Sequence, residues 1–338
     1  MRIKLVILIF AILLSSCTAG PATPTVTAAP TDTPQPTVGP TSTPPAPLVI
    51  LVLPDDMDQQ HAKAYQSAVY DLSEAQGFRF QVLNKLSTAD LALEPNLKAV
   101  IALPPDPGLA ELAAAAPTAQ FLAINIPGVK AAGNISVLGG DGLPVDKVAF
   151  MAAYIGAMLT QDYHTGVLLK KSSPDADKII AAMNAGQSYY CGLCNPYAGP
   201  FNSYPIAQAI PDDAKPEQYS AYADILIHNK VDTIFLPPGM ETPELLQYLP
   251  TVGALMIGTE TPAKNIGGWV VTLQPDYLAA LKSAWPDLIA GKGGQNFPAP
   301  ISFTDVNSEL FPAGKQQLAQ KTMADLFAGL ISITPAPK

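Results

Sequence analysis

Short, wholly apolar runs separated by helix-periodic stretches constrain this chain more than any other feature, because such runs fit strands buried on both faces of a parallel sheet. Leu48 to Leu53 (LVILVL) is the first, halted by Pro54-Asp55-Asp56. The spacing of Tyr65, Ala68, Val69, Leu72 and Ala75 predicts a helix next, closed by Gly77 ahead of a strand at 78–83. The unit repeats as strand 98–103, helix 109–116 and strand 121–125, with a short run at 135–138. Pro144 then introduces an almost wholly apolar helix, Asp146 to Thr160, which must be buried on most sides. A second set follows: strand 166–170, helix 175–190, strand 204–210, helix 216–229, and strands 231–236 and 255–258. A strand at 269–273, a strongly periodic helix from Tyr277 and a last helix over 314–329 complete the pattern. Alternation of this kind predicts an α/β fold of two doubly wound parallel-sheet lobes, with ligands held where the carboxyl ends of the strands face one another.

Ahead of this body the N-terminus has the layout of a secretory signal. Arg2 and Lys4 precede an apolar run, Leu5 to Leu14, that is shorter than the roughly 20 residues needed to span a bilayer. The run ends in Leu14-Ser15-Ser16-Cys17, which resembles a bacterial lipobox. Residues 1–16 therefore read as a signal peptide and Cys17 as the residue that receives the lipid. From Thr18 to Pro47 there are nine prolines, nine threonines and no Lys or Arg. Such a stretch cannot bury a core, so residues 17–47 are expected to serve as an extended stalk at the extracytoplasmic face of the cell membrane.

The net charge of −9 and the lack of any basic cluster argue against nucleic acid as a partner. The motifs of serine hydrolases, zinc proteases and nucleotide-binding loops are missing, and three histidines are a thin supply for acid–base work, so no catalytic residue and no cofactor is assigned. Cys191-Gly192-Leu193-Cys194 follows a helix instead of starting one, as a redox pair would, and no spaced histidines complete a zinc set. The pair reads as a structural disulfide or an inert pair of thiols, ahead of redox or metal roles.

Loops at strand carboxyl ends supply the candidate ligand residues: Asp58, His61, Asn125 and Asp141 from the first half, with Glu241, Glu260 and Trp269 from the second. Asp55, Asp56, Asp106 and Thr259 lie in the same loops. Singly, each acidic residue reads first as a solvated turn residue, and Trp269 could equally be core; convergence on one cleft is what makes them a site. Tyr197 or Phe201, in the loop after Cys194, would supply an aromatic ring for stacking.

In order and spacing, several segments resemble the basic membrane protein family of substrate-binding lipoproteins of ABC transporters, the purine-nucleoside-receptor-like branch of the type I periplasmic binding fold. They are Val145–Leu159 with His164–Leu169, Met183-Asn184-Ala185-Gly186, Asn229–Phe235, Met256-Ile257-Gly258-Thr259-Glu260 and Tyr277–Gly291, ending in Phe327–Ile331. The resemblance covers about residues 48–333 and implies a hinge crossed three times. Lobe 1 would comprise 48–138 and 259–292, and lobe 2 139–258 and 293–333. It further implies a monomer that captures a small polar solute, such as a nucleoside, and presents it to a membrane permease. Three positions depart from the family pattern: Asp58-Gln59-Gln60-His61 lacks its phenylalanine, and Asn125 and Glu260 stand where aspartates are usual. A surface lipoprotein that senses ligand for a signalling partner, and a carboxylate-dependent hydrolase, are the alternatives.

Overall fold

The computed structural model describes residues 44–140, 142–192 and 203–333. Lobe 1 begins with β1 (Leu48–Val52), α1 (Gln59–Glu74), β2 (Arg79–Leu83), α2 (Thr88–Ala92), β3 (Leu97–Ala102), α3 (Leu109–Ala115), β4 (Gln120–Ile124) and β5 (Ile135–Leu138). Lobe 2 follows with α4 (Val145–Leu159), β6 (Thr165–Lys170), α5 (Ala176–Cys191), β7 (Ile206–Ile210), α6 (Tyr219–His228), β8 (Thr233–Phe235), α7 (Pro243–Tyr248), β9 (Leu255–Gly258) and β10 (Trp269–Pro275). The chain then returns to lobe 1 for α8 (Tyr277–Ile289) and β11 (Asn296–Phe297), and ends in lobe 2 with β12 (Ile301–Thr304) and α9 (Ala313–Phe327).

Two six-stranded sheets result, ordered β11-β5-β4-β3-β1-β2 and β12-β10-β9-β8-β6-β7. Their strand order is the same, and every pairing is parallel except β10 with β12. The apolar run of β1 shows why such sequences need cover on both faces. Leu48, Ile50 and Val52 enter one core with Leu91 of α2 and Leu109 and Leu112 of α3, while Val49 and Leu51 enter another with Val69 of α1 and Leu281 of α8. In lobe 2 the helix α4 is buried at every position from Val148 to Met158, because α5, α9 and the sheet enclose it. Gly186 of α5 makes that enclosure tight: a Cβ there would fall 2.1 Å from the carbonyl oxygen of Phe150, so backbone touches helix.

The chain passes between the sheets three times: after β5, after β10 and after β11. The passages adjoin. Gly139 N–H donates to Phe297 O at 2.9 Å, and Asp276 N–H donates to Pro300 O at 2.7 Å. The ring of Tyr277 packs so closely on Gly139 that a Cβ there would lie 2.5 Å from Tyr277 Cε1. The second passage falls later than the sequence suggests. Trp269–Pro275 pairs with β9 and β12 in the second sheet, so the lobe 1 insertion does not begin at 259; it begins with α8, whose Leu281 and Trp285 pack on the first sheet. It also extends beyond 292, because β11 pairs with β5. The reason is long-range: which sheet a strand joins depends on its partner, not on its own residues. Among the described residues no helix is long and apolar enough to cross a membrane.

Candidate functional site

Both sheets present strand carboxyl ends toward the passages, and each lobe has a cavity there. In lobe 1 a cavity of about 490 Å³ opens where the strand order reverses between β1 and β3, the position at which doubly wound sheets bind ligands. Asp55 and Asp56 after β1, Asn84 and Lys85 after β2, and Asp106 after β3 line it. Two of its carboxylates are held locally. Asn84 Nδ2 donates to Asp55 Oδ1 at 2.9 Å, and Asp106 Oδ1 accepts from the Gly108 and Leu109 amides at 3.0 and 2.9 Å. Asp56 and Lys85 are left to supply charge to the cavity.

In lobe 2 the loops after β6 and β7 are tied to each other, as Asn84 ties to Asp55 in lobe 1. Asp212, after β7, accepts from both Ser172 N and Ser172 Oγ, which holds its carboxyl below the ordinary range, and Lys170 Nζ sits 4.5 Å over the Tyr219 ring. One cavity of lobe 2 lies beyond β8 and β9. It measures about 410 Å³ and is lined by Glu241, Leu246, Gln247, Glu260 and Lys264. Glu241 organises it. Its Oε1 accepts from Thr259 N at 2.5 Å and Thr259 Oγ1 at 3.3 Å, and both of its oxygens lie 3.1 Å from Glu260 N. Desolvation nonetheless prevails over these bonds, and the neighbouring Glu260 adds to it, so the Glu241 carboxyl is pushed up to about 7.

Of the residues predicted from sequence, Glu241 and Glu260 meet in this one cavity. Asp58 does not line the lobe 1 cavity. It caps α1, accepting from Gln60 N at 2.9 Å and His61 N at 3.1 Å, with His61 Nδ1 at 3.2 Å, and the bond from the His61 amide foremost lowers its pKa. His61 is exposed beside it. Asn125 follows β4 at a φ of 50°, its backbone amide donating to Leu138 O, and it does not line the lobe 1 cavity. Trp269 is 3% exposed and belongs to the core. Its Nε1 donates to Thr272 Oγ1 at 3.2 Å, and Thr272 Oγ1 donates on to Asp305 Oδ2 at 2.8 Å. Trp269 also floors a separate cavity of about 630 Å³ with Lys264, Asp305 and Asn307, within lobe 2. Cys191 is disulfide-bonded. Cys17, Asp141, Cys194, Tyr197 and Phe201 lie outside the described residues.

Sequence reasoning missed Asn84 and Lys85. The halt of β2 at a polar pair was the available signal, since β2 neighbours β1 at the reversal point. Among the described residues no group of three or more His, Cys, Asp or Glu is arranged to hold a metal ion.

No family model and no curated protein matches the sequence. Solved structures similar to it include a transcriptional activator of the comK gene from Bacillus halodurans, at 11% identity and a TM-score of 0.49 over 83% of this chain and 97% of that one. A solute-binding protein of an ABC transporter system from Aeropyrum pernix K1 aligns at 13% identity and a TM-score of 0.45, covering 87% and 94%. GanP, a glucose-galactose binding protein from Geobacillus stearothermophilus, aligns at 13% identity and a TM-score of 0.42, covering 76% and 97%. With identities this low, the fold is read from the strand pairing and the site from its own geometry. The repeated strand order and the three adjoining passages make this an α/β fold of two doubly wound sheet lobes joined by three crossings.

Proposed function

We propose that this chain is a lipid-anchored, extracytoplasmic substrate-binding protein of an ABC importer, which captures a small polar solute between its lobes and catalyses no reaction. One observation carries the reading. Two sheets of identical strand order each have a cavity with carboxylates on its wall at their carboxyl ends, and three hydrogen-bonded passages join them as a hinge would. A solute touching both walls would stabilise the closed arrangement by its extra contacts. Asp55, Asp56, Asn84 and Lys85 are the proposed contacts from lobe 1, with Glu241 and Glu260 from lobe 2. Carboxylates on both walls suit a ligand rich in hydroxyl or amino donors, and a nucleoside is the class that the resemblance to the basic membrane protein family names. The lipid on Cys17 and the proline- and threonine-rich stalk would keep the receptor near its permease while leaving the lobes free to close.

The test is a thermal-shift screen of the full chain with nucleosides, monosaccharides and polyamines. A ligand at about 100 times its Kd stabilises by about 2.7 kcal/mol, a clear rise in Tm. The Asp56→Ala and Glu260→Ala variants should each weaken the response. A flat response to nucleosides removes that class, and flat curves throughout overturn the receptor reading. Independently, Cys17→Ala should release the protein from the membrane fraction with its ligand response intact; retention in the membrane would remove the lipid anchor.

A further inference from the structure

The cavity at the strand reversal of lobe 1 and the Glu241 cavity of lobe 2 share a chemistry that narrows the solute. Asp55, Asp56 and Asp106 line the first against one ammonium, Lys85, while Glu241 and Glu260 line the second against one, Lys264. Among the described residues neither lysine is ion-paired with these carboxylates. The pairs that Lys and Arg make are Arg79 with Glu94, Lys178 with Asp175 and Lys292 with Asp287, none of them at either cavity. Three of the five carboxylates are taken by the protein itself: Asp55 by Asn84, Asp106 by the start of α3, and Glu241 by the amides after β9. Asp56 and Glu260 are not. Both are exposed, and the side chain of neither forms a hydrogen bond or ion pair with the described residues. Each cavity therefore offers a ligand one free carboxylate, a group that only accepts, within negative surroundings.

The linings weigh against other classes of solute. A phosphate or carboxylate ligand would meet carboxylates on both walls, and the one arginine among the described residues, Arg79, is held by Glu94. A flat ring is gripped best on an aromatic face, yet among the described residues no Phe, Tyr, Trp or His lines either cavity. Much of the remaining wall is aliphatic, with Pro54, Leu86 and Leu103 in lobe 1 and Pro243, Leu246 and Ile266 in lobe 2. Such a wall suits methylene groups. Closing two acidic walls on a neutral solute would also bring like charges together, a repulsion that a cation between them offsets.

We propose that the solute is an aliphatic amine with two or more ammonium groups, one held by Asp56 and another by Glu260, with its methylene chain on the aliphatic lining. The inference rests on the reading of the two cavities as facing walls of one cleft. Each ammonium brings three donors to an acceptor-only group, which makes a charge-assisted hydrogen bond on either wall. Asp55, Asp106 and Glu241, bonded to their own donors, add to the field that attracts the cation.

Titration calorimetry of the full chain with cadaverine and spermidine tests the class, with diacetylcadaverine, adenosine and glucose for comparison. One equivalent of an amine should bind, and diacetylcadaverine, which keeps the chain and loses both charges, should not. Asp56→Asn and Glu260→Gln should each weaken that binding about tenfold, as loss of one charge-assisted bond does. Asp71→Asn, which removes a charge from the exposed face of α1 outside both cavities, should leave it unchanged. Equal effects of the three substitutions would mean attraction to the surface charge as a whole and overturn the inference, as would equal binding of diacetylcadaverine. Binding of adenosine or glucose without any response to the amines overturns the amine and keeps the receptor. No response to any of these compounds removes the receptor reading along with it.

Discussion

Lobe 1 and lobe 2 share a strand order but not a way of packing. In lobe 1, ahead of the first passage, Gly77, Gly108, Gly128 and Gly133 stand in turns with open space where a Cβ would be, and side chains fill the two cores. In lobe 2, Gly239 and Gly253 likewise stand in open turns, but two glycines inside elements have no room for a Cβ: Gly186 against the Phe150 backbone, and Gly258 against the Trp269 and Glu241 side chains. The cavities differ in parallel. In lobe 1 a cavity opens at the strand-reversal point and is lined by turn residues, whereas in lobe 2 a cavity lies beyond β8 and β9, around a carboxyl group that the lobe's own backbone holds. Strand order thus fixes where cavities can form.

The largest effect should come from Gly186→Ala. Its methyl group would fall 2.1 Å from a backbone oxygen, which no rotamer change relieves. Overpacking costs about 1–3 kcal/mol or more, against which alanine's better helix propensity returns about 1 kcal/mol. A net loss of about 2 kcal/mol in urea denaturation is expected, borne by lobe 2. The control is Gly77→Ala in lobe 1, where the penalty is one of positive φ and not of space. Equal losses at the two sites would erase the contrast between the lobes.

The pH dependence sharpens it. Because the folded Glu241 carboxyl sits at about 7, above its ordinary 4.5, its contribution to stability is fully present below about pH 4.5 and lost as pH rises to about 7. Linkage sets an upper bound of about 3 kcal/mol, reduced by the group's partial contact with water. Urea midpoints should therefore fall between pH 5 and 8 more steeply in the unaltered chain than in Glu241→Gln. Coincident pH profiles for the two would show that the carboxyl is not held as described.

The sequence showed strands and helices wherever both faces were buried, since β1 and α4 need no partner to be recognised as apolar throughout. It did not show β11, two residues long amid glycine and proline, or the six-residue α7, because neither has room for a period. It singled out Glu241 and Glu260 one at a time. Their meeting through the Glu260 amide spans 19 positions, a separation that no local pattern encodes. Trp269 was legible as a strand start but not as a member of the second sheet, for the same reason.

Asp58 gives the smallest effect and the finest test of the comparison. Its place in a loop at a strand carboxyl end makes it a candidate ligand contact, yet its carboxylate already accepts two amides of α1 and faces His61. An aspartate just before a helix stabilises it by occupying amides that have no partner within the helix. Asp58→Asn keeps that acceptor and should leave Tm nearly unchanged, while Asp58→Ala should lower it by a few degrees with ligand response intact. The sign with pH is opposite to that of Glu241. Its lowered pKa makes the cap's stabilisation present above the ordinary carboxylate range and lost as pH falls through the lowered value, so Asp58→Ala should cost least in acid. If Asp58→Ala instead keeps its Tm and loses the ligand, the carboxylate serves the solute, and the carboxyl end of β1 is a binding wall as far as α1.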